Sequence, residues 1–445
     1  MHFQSMSPVI MIGITILSLI MFEALVPRFT KAKLTLALVG LGASLTSGLI
    51  NIFVIHNWSD VIDSGVVKVS SFSIIMTTLI TIIGIIILLV FNSEIESEPQ
   101  TYGVTLALIL TTIAGTALLS MSNDFLMSII SLEAVSMPLL ILVFWKGDRS
   151  QAGVAVKYFL YSAATSATML FGISFIFLST NSLRLDELSA TNQKSLLYLG
   201  IALLLVGLFF KAAIFPFHGW VLDVYGKSHV FVATLLSVVS KIAAFIFLIS
   251  ILPQGDPISG IVFVLSTITI IFGSFSALRA KTLIELLSYS SIVNSGVLAI
   301  GFATGARLTS VLVQYLFVYS LATIIVFAYI HFGNRIKIAF VLGLFSLAGI
   351  LPLAGWYPKF LIMKEVIGTS NKTLGFAVAF LVLASSVSLF ISYGRQIRDI
   401  DFLGASKTST KEKLQLPDYV INAAAFSLVI FGIFPRFLEY FASKL

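Results

Sequence analysis

Two lysines occupy stretches where an apolar helix normally carries no charge. Lys211 lies in LLLVGLFFKAAIFPFHGW and Lys359 in FSLAGILPLAGWYPKFLIM, each close to an interrupting proline, Pro216 and Pro352. A charge at bilayer depth costs about 2.5–3.5 kcal/mol on insertion scales, so an intramembrane lysine points first to function. Glu133, in FLMSIISLEAVSMPLLIL, places a carboxylate in another apolar stretch, and Lys241, in TLLSVVSKIAAFIFLI, adds a third deep ammonium. Groups of this kind carry protons. A Glu–Lys pair about 4 Å apart, at an effective dielectric near 20, is worth about 4 kcal/mol. That equals roughly three pKa units at about 1.36 kcal/mol each. Movement of Glu133 toward or away from Lys211 would switch the lysine between holding and releasing its proton.

Each of these residues also has a plainer reading. Glu133 alone could be a neutral, hydrogen-bonded structural acid; the lysines in other spans favour a charge pair. Lys241 could snorkel to the interface, but it sits too deep in its span to reach water easily, which favours a relay. Lys359 is read in the same way. Lys364, beside Glu365, fits a local ion pair. His218 follows Lys211 on a similar face if the helix survives the break, as a link to water or as a hydrogen-bond donor at a helix end. Ser288, Tyr289, Ser290, Ser291, Asn294 and Ser295 form a polar string that could hold a water file or serve helix packing. Lys157 is either a topology signal or an inner-side partner to a proton path. Glu285 reads as a surface charge near Arg279 and Lys281.

The elements that must position these residues follow from composition. The chain has 445 residues, is 58% hydrophobic and 11% charged, and has a mean hydropathy of +1.05. Soluble domains carry about 25% charged residues, so this is an all-α, polytopic membrane protein. Apolar runs of about 20 residues give about fourteen transmembrane helices, the fifth over 125–145, the seventh over 196–217, the eighth over 229–252 and the twelfth, interrupted, over 338–366. The longest loop, 395–417, leaves no room for a soluble domain. The first span, 7–27, lacks a cleavage-like site and reads as retained.

With no cysteine and five scattered histidines, thiolate metal sites, iron–sulfur ligation and a haem or zinc cluster are not expected. There is no GxxxxGK[ST] loop, and GLGASL at 40–45 lacks the strand and third glycine of a dinucleotide site. If this chain belongs to an energised machine, its fuel is handled elsewhere. The net charge of +7 serves to orient the chain rather than to bind nucleic acid. Arg28, Lys31, Lys33, Lys146, Arg149, Lys157, Arg279, Lys281, Arg335, Lys337 and the 395–413 cluster fall on one side when loops alternate. That side is cytoplasmic or its equivalent, and both termini face out.

Residues 1–100 carry helices 1–3, read as a flank or docking surface with Glu23 near the end of the first. Residues 101–255 and 256–395 make two blocks of five helices, and 396–445 a loop and helix 14. An odd number of spans per block makes the second block inverted relative to the first. Helices 7 and 12, the fourth of each block, share lysine plus proline. Pro216 and Pro352 each remove an N–H and crowd the carbonyl four residues back, Ala212 and Ala348. Such breaks are tolerated where they are buried or line a wet cavity. In helix 12, Gly355 and Pro358 are expected to delay the helix until about Lys359.

LEAVSMPLLILVFW, VKYFLYSAATSATMLFGISFIFLST, GLFFKAAIFPFHGWVLDVY, LSVVSK, LIELLSYSSIVNSG and LFSLAGILPLAGWYPKF occur in that order. They resemble the subunit N (mitochondrial chain 2) family of proton-pumping NADH:quinone oxidoreductase, respiratory complex I. The match runs over roughly 100–395, and the wider superfamily takes in subunits L and M, multisubunit Na+/H+ antiporters and membrane-bound hydrogenases. The resemblance implies an antiporter-like membrane-arm subunit that moves protons along a Glu/Lys/water axis in an energy-transducing membrane. Glu133, Lys211, Lys241, Lys359 and His218 match the family's proton-transfer positions, with Lys157, Asn294 and Ser291 as accessory candidates. FMN, iron–sulfur clusters and quinone are expected in partner subunits, and M-like and K/J-like subunits and lipids as neighbours. Leu222 stands where the family usually has proline, 226–232 departs from a Gly-Ala-Pro-Thr-Pro-like run, and Asn294 replaces a histidine. Rival readings are a subunit of a multisubunit Na+/H+ antiporter or membrane-bound hydrogenase, and a passive scaffold whose charges only staple helices.

Overall fold

The computed structural model describes residues 2–26, 29–54, 62–190, 193–251, 257–303, 309–368, 372–398, 415–437 and 439. Arg28 and most of the 395–413 basic cluster, both used to orient the chain, lie outside these residues. In chain order the helices are α1 (His2–Leu25), α2 (Thr30–Val54), α3 (Ser71–Ile95), α4 (Tyr102–Ser120), α5 (Phe125–Val143), α6 (Arg149–Thr180) and α7 (Lys194–Ala212). They continue as α8 (Trp220–Lys227), α9 (Val230–Leu235), α10 (Lys241–Ile251), α11 (Pro257–Arg279), α12 (Leu283–Ala303) and α13 (Thr309–Phe332). The last four are α14 (Lys337–Ala348), α15 (Trp356–Ile367), α16 (Lys372–Arg398) and α17 (Leu416–Ile433). One antiparallel pair, β1 (Ile62–Asp63) and β2 (Lys68–Val69), precedes α3.

Among the described residues, 13 helical stretches are long and apolar enough to cross a membrane, and Thr309–Ala348 counts as one of them. A straight helix of that length would reach about 60 Å, twice a hydrocarbon core of about 30 Å. Instead the chain turns at 333–336, and α14 packs back along α13. This recovers the eleventh and twelfth spans as separate passes.

The chain forms two compact units, one of residues 1–212 and 227–251, the other of 213–226 and 252–444. In the first unit, the Asp124 carboxylate accepts from the N–H groups of Leu126 and Met127 (2.8 and 3.1 Å) and fixes where α5 begins. The turn before α5 is stitched to the turn after α6: Phe125 N–H donates to Leu183 O and Leu185 N–H to Asn123 O, both at 2.9 Å. Helices α6 and α7 meet at Gly172 and Gly200, where a Cβ on either would come within 2.7 Å of the other's carbonyl oxygen. These features hold α5, α6 and α7 in a fixed relation.

Two sequence expectations change here. Lys33, assigned to a basic loop, is fully buried in the first turn of α2 and ion-paired with Glu23 of α1. The few internal charges expected in the first three spans, Glu23 among them, thus include one buried pair. In the second unit the helix after Pro352 resumes at Trp356 rather than near Lys359. Pro358 falls in the first turn of α15, where the missing N–H would have no intrahelical partner anyway.

Candidate functional site

In the first unit α5, α6 and α7 bring four polar side chains together. Lys211, in the last turn of α7, is 2% exposed, and its Nζ stands 3.5 Å from Glu133 Oε1 of α5. Nζ donates a hydrogen bond to Ser136 Oγ, one turn further along α5. Ser136 in turn donates to Leu132 O at 2.8 Å. From α6, Ser166 Oγ donates to Glu133 Oε1 at 2.7 Å. Tyr158, also on α6, is buried and stacks on Phe210 with ring centroids 5.9 Å apart, beside Lys211. The other face of α5, with Leu126, Ile130, Met137 and Ile141 exposed, is apolar and suited to lipid or a neighbouring subunit.

Lys241 is 1% exposed and opens α10, which packs against α7 and α5. It follows a π-helical turn over Leu236–Ser240, a deformation frequent at functional positions and absent from any hydropathy pattern. The start of this span is held by Glu94 of α3. Its carboxylate accepts from the N–H groups of Val230 (3.2 Å) and Phe231 (3.3 Å) and lies 3.3 Å from His229 Nδ1. Trp145 meets His229 and Phe231 edge-on, at centroid distances of 4.8 and 4.9 Å. The 226–232 departure is thus built into an anchored helix start, and Leu222 continues α8 where a proline was expected.

In the second unit, Lys359 is 1% exposed and its Nζ donates to the carbonyls of Leu347 (2.7 Å) and Ala348 (3.2 Å). These are carbonyls released where α14 ends. Gly349 closes that helix with φ +81 in the left-handed region, a conformation that favours glycine. A cation at a helix C-terminus is favoured by the helix dipole. Lys359 therefore has a structural partner as well as a place in the break.

His218 does not continue the face of Lys211, because the helix stops at Ala212 and residues 213–219 run outside α7 and α8. It packs with Phe215 and Phe272, and its Nδ1 is buried without a hydrogen-bond partner. Asn294 accepts from Tyr315 Oη at 2.8 Å and donates to Ser290 O at 2.8 Å. Ser290 bonds Tyr393, and Ser291 lies 3.1 Å from Tyr319 Oη. The polar string of α12 is therefore paired with three buried tyrosines from α13 and α16. Lys157 lies on an exposed face in the third turn of α6. Glu285 caps its own helix, accepting from the N–H of Lys281 (2.9 Å) and of Thr282 (3.3 Å), and so lies beside Lys281.

Ser136, Ser166, Glu94 and the three tyrosines were not singled out by sequence. Ser136 carried one usable signal, its place three residues after Glu133 on the same helical face. Among the described residues no group of three His, Cys, Asp or Glu side chains could hold a metal ion.

Comparison with known proteins sets this arrangement in a family. Residues 122–337 match a family model described as NADH:quinone oxidoreductase/Mrp antiporter, transmembrane. The chain is 31% identical over 415 residues to NADH-quinone oxidoreductase subunit N 1 of Chloroherpeton thalassium, covering 85% of each chain. The chain belongs to the NADH-quinone oxidoreductase subunit N family. A chain of respiratory complex I from Thermus thermophilus superposes with a TM-score of 0.80 at 26% identity, over 96% of this chain and 97% of that one. A chain of the Mrp complex from Dietzia superposes with a TM-score of 0.82 over 100% and 97% of the two chains, and at 17% identity it shows the shared fold alone. As a member of the subunit N family, this is a multi-pass, antiporter-like membrane subunit.

Proposed function

We propose that this chain is the antiporter-like membrane-arm subunit of a proton-translocating NADH:quinone oxidoreductase, with electron transfer in other subunits driving protons along its buried charges. The observation that carries the reading is the Lys211–Glu133 pair: a fully buried ammonium 3.5 Å from a carboxylate on an adjacent helix. In this reading Glu133 tunes the charge on Lys211, and Lys211 exchanges a proton through water with Lys241 on the packed helix α10. Lys359 is the terminal lysine of the path, near the outer side, with both termini of the chain outside. His218 belongs to the proton path as its link to water; Asn294 and Ser291 hold water or hydrogen bonds, since neither titrates at physiological pH, and Lys157 is accessory. The two five-helix blocks, 101–255 and 256–395, act as inverted repeats, each with one broken helix carrying a lysine. FMN, iron–sulfur clusters and quinone belong to partner subunits, and the M-like and K/J-like subunits are the neighbours in the membrane.

The test joins composition to coupling. A tagged chain is purified with its native particle, and co-migration with quinone-reducing subunits is expected; co-migration with small antiporter subunits alone would replace this reading with cation/proton exchange. In the assembled particle, Lys211→Ala should abolish or strongly impair proton pumping. Normal pumping by an intact Lys211→Ala particle would refute the assignment.

A further inference from the structure

We propose that Ser136 and Ser166 are positioning residues that hold the Lys211–Glu133 pair open, each giving one of the two charges a neutral partner. The inference rests on the reading of that pair as a proton-transfer site and adds the device that lets it part.

The ion pair is a long one. Lys211 Nζ and Glu133 Oε1 are 3.5 Å apart, beyond the range of about 2.7–3.2 Å for an N–H···O hydrogen bond. The ammonium donates instead to Ser136 Oγ. The hydroxyl hydrogen of Ser136 is committed to Leu132 O at 2.8 Å, so its lone pairs are left to face Nζ. Ser136 is 5% exposed, and no bulk water competes for it. On the other side, Ser166 Oγ donates at 2.7 Å to Oε1, the same carboxylate oxygen that faces the lysine.

A buried charge that loses its partner is costly. When the pair opens, the buried Lys211 therefore needs a second partner, and Glu133, 23% exposed, has a fixed one in Ser166 besides any water. Ser136 and Ser166 fill these roles from two different helices, α5 and α6. The hinge for the movement lies alongside. Pro138, two residues after Ser136 and inside α5, cannot donate to the carbonyl of Ala134, so the helical ladder lacks a bond in the turn that carries both Glu133 and Ser136. A bend of α5 there changes the distance from Glu133 to Lys211 on α7 and to Ser166 on α6 together. Closing the pair would trade the serine bonds for a direct one.

The experiment compares Ser136→Ala, Ser166→Ala, Ser136→Thr, Ser166→Thr and Lys211→Ala in the intact complex in proteoliposomes. It reads protons moved per quinone reduced across a range of pH. Each alanine variant is expected to pump about tenfold less, the worth of one hydrogen bond to a charged group, with a displaced pH profile. Assembly, read from the subunit composition of the purified complex, stays normal, and threonine restores both pumping and profile. If both alanine variants pump with the normal profile while Lys211→Ala does not, the inference falls and the pair's assignment stands. If Lys211→Ala also pumps normally, both fall. A pumping loss with an unmoved profile, or one that threonine does not restore, marks a merely structural serine and overturns the inference. Should an alanine variant fail to assemble, Ser→Cys, of similar size with a weaker hydrogen-bonding group, carries the same expectations.

Discussion

Replacing Glu133 with Gln keeps the size of the side chain and an oxygen for Ser166 to bond, but removes the charge facing Lys211. At the observed 3.5 Å, with an effective dielectric near 20, the pair is worth about 5 kcal/mol. Glu133 is 23% exposed, and water reaching it weakens the interaction, so about half of that, 2–3 kcal/mol, is the fair figure. Moving one charge against 100 mV takes about 2.3 kcal/mol. The two quantities match, so the variant should still move protons when no potential opposes it and stall when one does. The assay uses sealed proteoliposomes holding the assembled complex, with potassium diffusion potentials set in steps from zero to about 150 mV, beyond the point at which the drive from the pair is offset. Proton uptake per turnover should already be impaired at zero potential for Glu133→Gln, because Lys211 has lost the charge that tunes it. At about 100 mV it should fall roughly 50-fold from that level, the equivalent of 2.3 kcal/mol. Pumping by the variant that persists at 100 mV would show that the energy of this pair does not drive translocation.

Three further outcomes test the surrounding structure. Gly200→Ala would set a Cβ 2.7 Å from Gly172 O and from Ile176 Cγ1; this overpacking costs about 1–3 kcal/mol. It should lower both the thermal stability of the purified complex and its pumping, whereas Gly13→Ala, at an open position, should change neither. Lys33→Met strands Glu23 beside α4 and should cost about 3–5 kcal/mol, read as reduced assembly and earlier thermal dissociation, with partial recovery on adding Glu23→Gln. Between α6 and α7, Arg184 holds the Asp186 carboxyl at about 2, through hydrogen bonds of 3.0 and 2.8 Å to its two oxygens. A carboxyl held below its usual range contributes stability above its ordinary pKa near 4 and loses it as the pH falls toward 2. Pepsin cleavage at 182–190 should therefore rise as the pH falls from about 4 toward 2, and Asp186→Asn should remove that pH dependence.

The membrane class, the helices and the deep charged residues were all legible in the sequence because each depends on one residue type against a local apolar background. Lys211, Lys241, Lys359 and Glu133 stand out for that reason alone. Lys33 misled, since a lysine near a helix start looks the same whether it meets water or a buried Glu23. His218 misled too, because helical spacing across a proline holds only while the helix continues.

Which groups meet was decided by the fold. Ser136 and Ser166 are ordinary residues in apolar helices until the packing of α5, α6 and α7 brings them to Lys211 and Glu133. Glu94 looks like a surface acid until it caps the start of α9, more than 130 residues away in sequence. Tyr315, Tyr319 and Tyr393 find the α12 polar string only through tertiary packing. Hydropathy and depth are properties of a stretch of chain and survive in one dimension. A proton path depends on separations of a few ångströms between residues from different helices, and only the packing of those helices sets them.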